Sequence, residues 1–177
     1  GIPTGFTDLD RMLTGMHGGE FILVAARPAM GKTAFVLNIA HDLAVMHKVP
    51  CAIFSLEMSK EQLVSRLIAI DAMVDSKSMK LGNLSDDDWD KVIESTEAIA
   101  RSPLYIDDNS AITISELRSK CRKLKQNHNI GIIILDYLQL MSGSGRSESR
   151  QQEISEISRS LKSLARELNV PVLALSQ

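Results

Sequence analysis

Aromatic residues make up only 4% of this 177-residue chain. Proteins that hold single-stranded nucleic acid by base stacking need aromatic platforms, so a stacking mode of the OB-fold kind is disfavoured from the outset. Cysteine is scarce too. Cys51 and Cys121 stand far apart with no C-x-x-C pairing, which argues against a disulfide framework and for a reducing, cytoplasmic compartment. Long apolar runs are missing: the longest are of strand length, so no segment is expected to cross a bilayer. No basic-then-apolar signal segment opens the chain. Neither sign of charge dominates. With 20 Lys and Arg against 22 Asp and Glu, the net charge is -2, and any site for a polyanion has to be local.

What is present is ordinary for a globular protein: 44% hydrophobic and 24% charged residues, in a length suited to one domain with a sizeable core. Strand-length apolar runs at 20–26, 51–56, 103–106, 131–136 and 171–176 alternate with helical periodicity near 32–47, 59–71, 86–101, 114–127 and 150–168. Strands separated by helices imply crossovers and an α/β fold, a mostly parallel sheet covered on both faces. The unbroken Ile132–Leu135 run fits a central strand. Capping boxes are read at Thr113 with Glu116 and at Ser85 with Asp88. The acids Asp86, Asp87 and Asp88 then complement a helix dipole and need no metal. His41 and His47 lie six apart, off the one-turn spacing of a helical metal site, and no zinc is expected. "SGSGRSES", 142–149, reads as a flexible polar loop.

The stretch "LVAARPAMGKTAF" follows the pattern of a phosphate-binding loop, except that Ala26 stands where the first glycine belongs. Such a loop needs a buried strand, a tight turn, and a helix whose first amides point at the anion. All three are legible here. Ala26 is compatible if its φ is negative, and Pro28 has no N–H to donate. Amide donors are therefore expected from Ala29 through Thr33. The nucleotide-binding segment is taken as Arg27, Pro28, Ala29, Met30, Gly31, Lys32, Thr33 and Ala34, with Lys32 as the cation and Thr33 as a Mg²⁺ ligand.

Three further strand ends carry suitable chemistry. "GIIILD" ends in Asp136, placed to hold Mg²⁺ through water. "AIFSLEMS" puts Glu57 just past a buried strand, where it can orient and deprotonate an attacking water. "VPVLALSQ" ends in the polar Gln177. For nucleic acid the candidates are Arg146 and Arg150, in and beside the glycine-rich loop. The basic helix with Arg118, Lys120, Arg122, Lys123 and Lys125 is better read as a solvated face or a subunit contact. Ile154, Ile157, Leu161, Leu164 and Leu168 form a packing stripe.

Taken together, "GIPTGFTDLDRML", "AARPAMGKTAF", "FSLEMS", "SELRSKCRKLKQ", "IILDYLQLM", "GSGRSESRQQEISEISRSLKSLARELNVPV" and "LALSQ" resemble the C-terminal motor domain of bacterial DnaB-type replicative helicases. The resemblance runs over the whole chain. It implies a RecA-like P-loop NTPase core using ATP and Mg²⁺, a hexameric ring around single-stranded DNA, 5′-to-3′ translocation, and primase and a helicase loader as partners in a nucleoid-associated, cytoplasmic setting. It also implies an A-R-P-x-x-G-K-T spelling of the loop, which accounts for Ala26. By motif, Lys32 and Thr33 are the loop's lysine and metal ligand, Glu57 is the catalytic base, Asp136 the second acid at the metal, and Gln177 a sensor of the γ-phosphate. The family's arginine finger, a DNA-binding loop and an N-terminal primase-binding domain are expected outside these residues. Two other readings stay open: a non-unwinding RecA-like ATPase such as a recombinase, and a module that binds nucleotide without turning it over.

Overall fold

Ile132–Asp136 is a fully buried strand, apolar at four positions and closed by an acid. In the computed structural model, which describes residues 16–25, 31–136 and 147–176, it is the middle strand of a five-stranded sheet. The strands are β1 (Phe21–Ala25), β2 (Cys51–Ser55), β3 (Leu104–Asp107), β4 (Ile132–Asp136) and β5 (Val172–Ser176). Their order is β1-β5-β4-β2-β3, and every neighbouring pair is parallel. The expected α/β class is therefore the observed one.

Successive strand residues point to opposite faces, and two apolar layers result. Cys51, Ile53, Ile132, Ile134, Leu173 and Leu175 pack under helix α1 (Lys32–Ala40), the turn that continues it, α2 (Lys60–Ala72) and α4 (Asp86–Arg101). Ala52, Phe54, Ile133, Leu135, Val172 and Ala174 pack under α5 (Ile114–His128) and α6 (Ser147–Leu168). The α6 stripe read from the sequence is core: Ile157, Leu161 and Leu164 are buried, with Ile154 and Leu168 packed beside them.

Several local features depart from the sequence reading. A short helix α3 (Ser76–Leu81), capped by Asp75 and closed by Gly82 at φ 71°, was not anticipated. Helix α1 does not run on as an α-helix but passes into a π-helical segment, His41–Met46. The two expected capping boxes are only half formed, since Ser85 and Thr113 accept from the amides of Asp88 and Glu116 without the return bond. Asp88 is a shorter side chain than the Glu or Gln the reciprocal bond uses. A complete box forms instead at Ser59 and Gln62, where the S-x-x-Q spacing was available to be read. At Gly18 the chain passes so close to the Asn169 turn that a Cβ would stand 2.4 Å from Asn169 Oδ1 and 2.7 Å from its carbonyl oxygen.

The π-helical segment places His41 against α2, with Nε2 2.7 Å from Asp71 Oδ1. Burial works against the Asp71 carboxylate, but hydrogen bonds from Ser95 and His41 and the charges of His41 and Lys48 outweigh it and hold the carboxyl below its ordinary 3.8. A depressed carboxylate stabilises the fold above its unfolded value, and that contribution is lost as pH falls through the folded value. Wild-type protein is therefore expected to lose stability below pH 4 or so more steeply than Asp71→Asn. Urea midpoints at neutral pH and at about pH 3 test this, and a difference between the two proteins that does not change with pH would exclude the linkage.

Burial pushes the Cys51 and Cys121 thiols up to about 12, with Asp107 adding to the effect at Cys121. Neither should react with a disulfide reagent at about pH 8 in the folded protein, and both should react on unfolding. A thiol titrating within minutes under native conditions would contradict their placement in the two core layers.

Candidate functional site

The carboxyl edge of the sheet brings the candidate residues together. Ser55 lies opposite Asp136, and Asp136 opposite Leu175, while Ala25 pairs with Ser176 at the end of β1. β5 separates β1 from β4, so the segment that follows β1 begins about 10 Å, two strand spacings, from Asp136. By alternation Asp136 points to the same face as Ile132 and Ile134, the face that α1 covers. Its carboxylate is 3% exposed. Thr33 in the first turn of α1 lies on that same side of the sheet.

The start of α1 differs from those of α2 to α5. Helices α2 to α5 each have a hydroxyl or carboxylate cap from Ser59, Asp75, Ser85 or Thr113. Helix α1 begins after Gly31 with no side-chain cap and no acid in its first turn. A helix start without a side-chain cap or a first-turn acid suits an anion at its first amides. Gly31 sits at φ 85°, in the left-handed region, with nothing within 4 Å of where a Cβ would stand. The sequence reading gave Gly31 close backbone approach. The structure adds a conformational requirement, because the left-handed region costs other residues roughly 1–2 kcal/mol.

Glu57 is exposed, one residue beyond Leu56, whose amide donates to the Asp136 carbonyl oxygen at 2.8 Å. Leu56 is buried in the α5–α6 layer, and Met58 packs against the α1 layer. The turn thus straddles the edge of the sheet and directs Glu57 outward between its two anchors. The residues Arg27, Pro28, Ala29, Met30, Arg146 and Gln177 lie outside the described residues, as do the side chains of Lys32 and Arg150. Of the expected set, Gly31, Thr33, Ala34, Glu57 and Asp136 lie within the described residues.

The basic helix α5 is occupied with structural partners. Lys120 pairs with Asp107, Arg118 lies 3.6 Å from Glu167, and Arg122 makes two hydrogen bonds to Glu167 at 2.6 and 2.8 Å. These pairs hold α5 against α6 and β3. Sequence reasoning passed over Ser55 and Asp108, which bracket Glu57. No local motif signals them, because Asp108 meets the Glu57 segment across 48 residues.

Gly31→Ala is expected to weaken binding of a fluorescent ATP analogue at least tenfold, about 1.4 kcal/mol, while the thermal unfolding transition stays cooperative. Unchanged affinity would remove Gly31 from the phosphate cradle.

A family model described as the DnaB-like helicase C-terminal domain matches residues 1–177. The chain is 54% identical over 178 residues to the replicative DNA helicase DnaC of Bacillus subtilis (strain 168), covering 100% of this chain and 39% of that protein. It is 53% identical to the replicative DNA helicase DnaB of Geobacillus stearothermophilus, with the same coverage. A solved DnaB-like replicative helicase, described with its interactions with primase, superposes with a TM-score of 0.89 at 38% identity, covering 99% of this chain and 43% of that one. An ATPase domain solved separately gives the same TM-score and identity, covering 99% of this chain and 63% of its own. This chain thus spans about two fifths of the length of these full-length relatives. Matched from end to end, it belongs to the DnaB-like helicase C-terminal domain family.

Proposed function

We propose that the chain is the ATP-hydrolysing motor of a replicative DNA helicase. The observation that carries this reading is the uncapped, glycine-led start of α1, on the same sheet face and at the same sheet edge as the buried Asp136, in a chain that matches the helicase family throughout. In this reading the amides from Ala29 to Thr33, with Lys32, hold the β- and γ-phosphates of ATP. Arg27, Pro28, Met30 and Ala34 complete the cradle. Thr33 and Asp136 hold Mg²⁺, Asp136 through water, and these hard oxygen donors suit that ion. When bound, the metal neutralises charge that develops on the phosphates.

Glu57 then orients a water toward the γ-phosphorus and accepts its proton. Gln177, next in sequence after β5, senses the γ-phosphate. Arg146 and Arg150 follow the metal strand and track the DNA backbone as cations, which suits a chain with few aromatic platforms. A hexameric ring is part of the proposal, with an arginine supplied in trans to each site. Single-stranded DNA, primase and a loader are its partners in the bacterial cytoplasm. Among the described residues, no helix is long and apolar enough to cross a membrane.

The test is steady-state ATP hydrolysis by the full-length protein, with and without single-stranded DNA. DNA is expected to stimulate turnover, and Glu57→Gln to lower kcat by about 10²-fold or more. The isolated 177-residue chain is expected to bind ATP yet hydrolyse it slowly, since an arginine in trans contributes on the order of 10³-fold or more. Turnover indifferent to DNA would instead favour a non-unwinding ATPase of the same fold.

A further inference from the structure

The turn that carries Glu57 is held by side-chain hydrogen bonds at both of its ends. At one end is Ser55, 1% exposed, at the tip of β2. Its hydroxyl donates to the Met58 carbonyl oxygen at 2.8 Å and accepts from the Met58 amide at 3.2 Å. One side chain therefore closes the loop Ser55–Met58 in both directions. At the other end, α2 starts with the complete capping box of Ser59 and Gln62, which satisfies two amides from within the helix. The next amide, that of Lys60, is held from outside by Asp108 Oδ2 at 2.8 Å.

Asp108 follows β3, the edge strand beside β2. Its loop is itself pinned, because Asp107 accepts from the Asn109 amide at 3.0 Å through one oxygen and from Lys120 of α5 through the other. A carboxylate at the first turn of α2 also complements the helix dipole. The catalytic turn thus has a rigid attachment to β3 and α5, elements with no residue in the site. Reacting groups need placement to within fractions of an ångström, and a displacement of about 1 Å can cost on the order of 10²-fold in rate.

We propose that Asp108 is a positioning residue for ATP hydrolysis: by accepting the Lys60 amide it fixes the start of α2 and with it the aim of Glu57. This rests on the reading of Glu57 as the base. It also makes the β3 end of the sheet, remote from the phosphate loop, part of what sets the rate. Asp108 is exposed, so its replacement leaves both apolar layers intact.

The experiment uses the full-length protein and four variants: Asp108→Ala, Asp108→Asn, Glu57→Gln, and the double variant Asp108→Ala with Glu57→Gln. Ser85→Ala serves as control, removing a helix cap of comparable kind from α4, which holds no candidate catalytic residue. Asp108→Ala is expected to lower kcat about tenfold or more while KM and the Kd of a fluorescent ATP analogue move less than about twofold. Asp108→Asn, which keeps an oxygen acceptor, should recover most of that loss. Ser85→Ala should leave kcat alone at a similar cost in thermal stability. In the Glu57→Gln background the Asp108 substitution should add little, since both act on one step.

A proportional loss of kcat in the Ser85 control, a full additive loss in the double variant, or unchanged kcat in Asp108→Ala would each overturn the positioning role. If Glu57→Gln alone retains wild-type turnover, the assignment of Glu57 has failed instead, and the Asp108 effect on kcat then reads out separately whether another group is being positioned.

Discussion

This fold is arranged around a parallel sheet whose three inner strands, β5, β4 and β2, are covered on both faces. Strand β1, expected to be a buried strand, is an edge strand with Leu23 48% exposed. Because crossovers return each strand in the same direction, all five carboxyl ends reach one edge of the sheet. The interior of each inner strand must then be apolar on both sides, and polar function can appear only where the strand runs out. Asp136 stands at that boundary: the four residues before it are fully buried, and the carboxylate is itself 3% exposed. Its side is set by the pleat. One residue more or fewer in β4 would aim it at α5 and α6 and away from α1.

The helix starts divide in a similar way. Four helices carry their own oxygen cap, and an exposed cap of that kind contributes about 1 kcal/mol each. Helix α1 carries none and begins from a left-handed glycine. Its start lies at the same edge of the sheet as the acids that follow β2 and close β4. In the proposed function the helix start takes phosphate and Asp136 a cation.

Strand and helix positions were legible within a few residues, because burial on both faces writes continuous apolar runs and the helices write a 3.6-residue period. Three features escaped. Helix α3 has six residues and buries none of them, so it leaves no periodic trace. The π-helical segment at His41–Met46 keeps the same apolar composition as the helix before it and differs in hydrogen-bond register alone. Ser59 and Gln62 did have a visible spacing, while Ser85 and Asp88 had a misleading one, the aspartate being too short for the return bond.

Local composition determined which residues form strands, where the phosphate loop lies, and which acids end up at strand tips, since these depend on propensity, pattern and spacing along the chain. The order of strands was a matter for the tertiary structure. Five parallel strands can be arranged in many orders with the same sequence pattern, and the one adopted inserts β5 between β1 and β4. That insertion sets the roughly 10 Å gap in which a nucleotide and metal are proposed to sit. Likewise, no reading of neighbouring residues could join Asp108 to the amide of Lys60. That contact exists only because β3 lies beside β2, and pairing between strands is decided by how the helices pack and not by any residue alone.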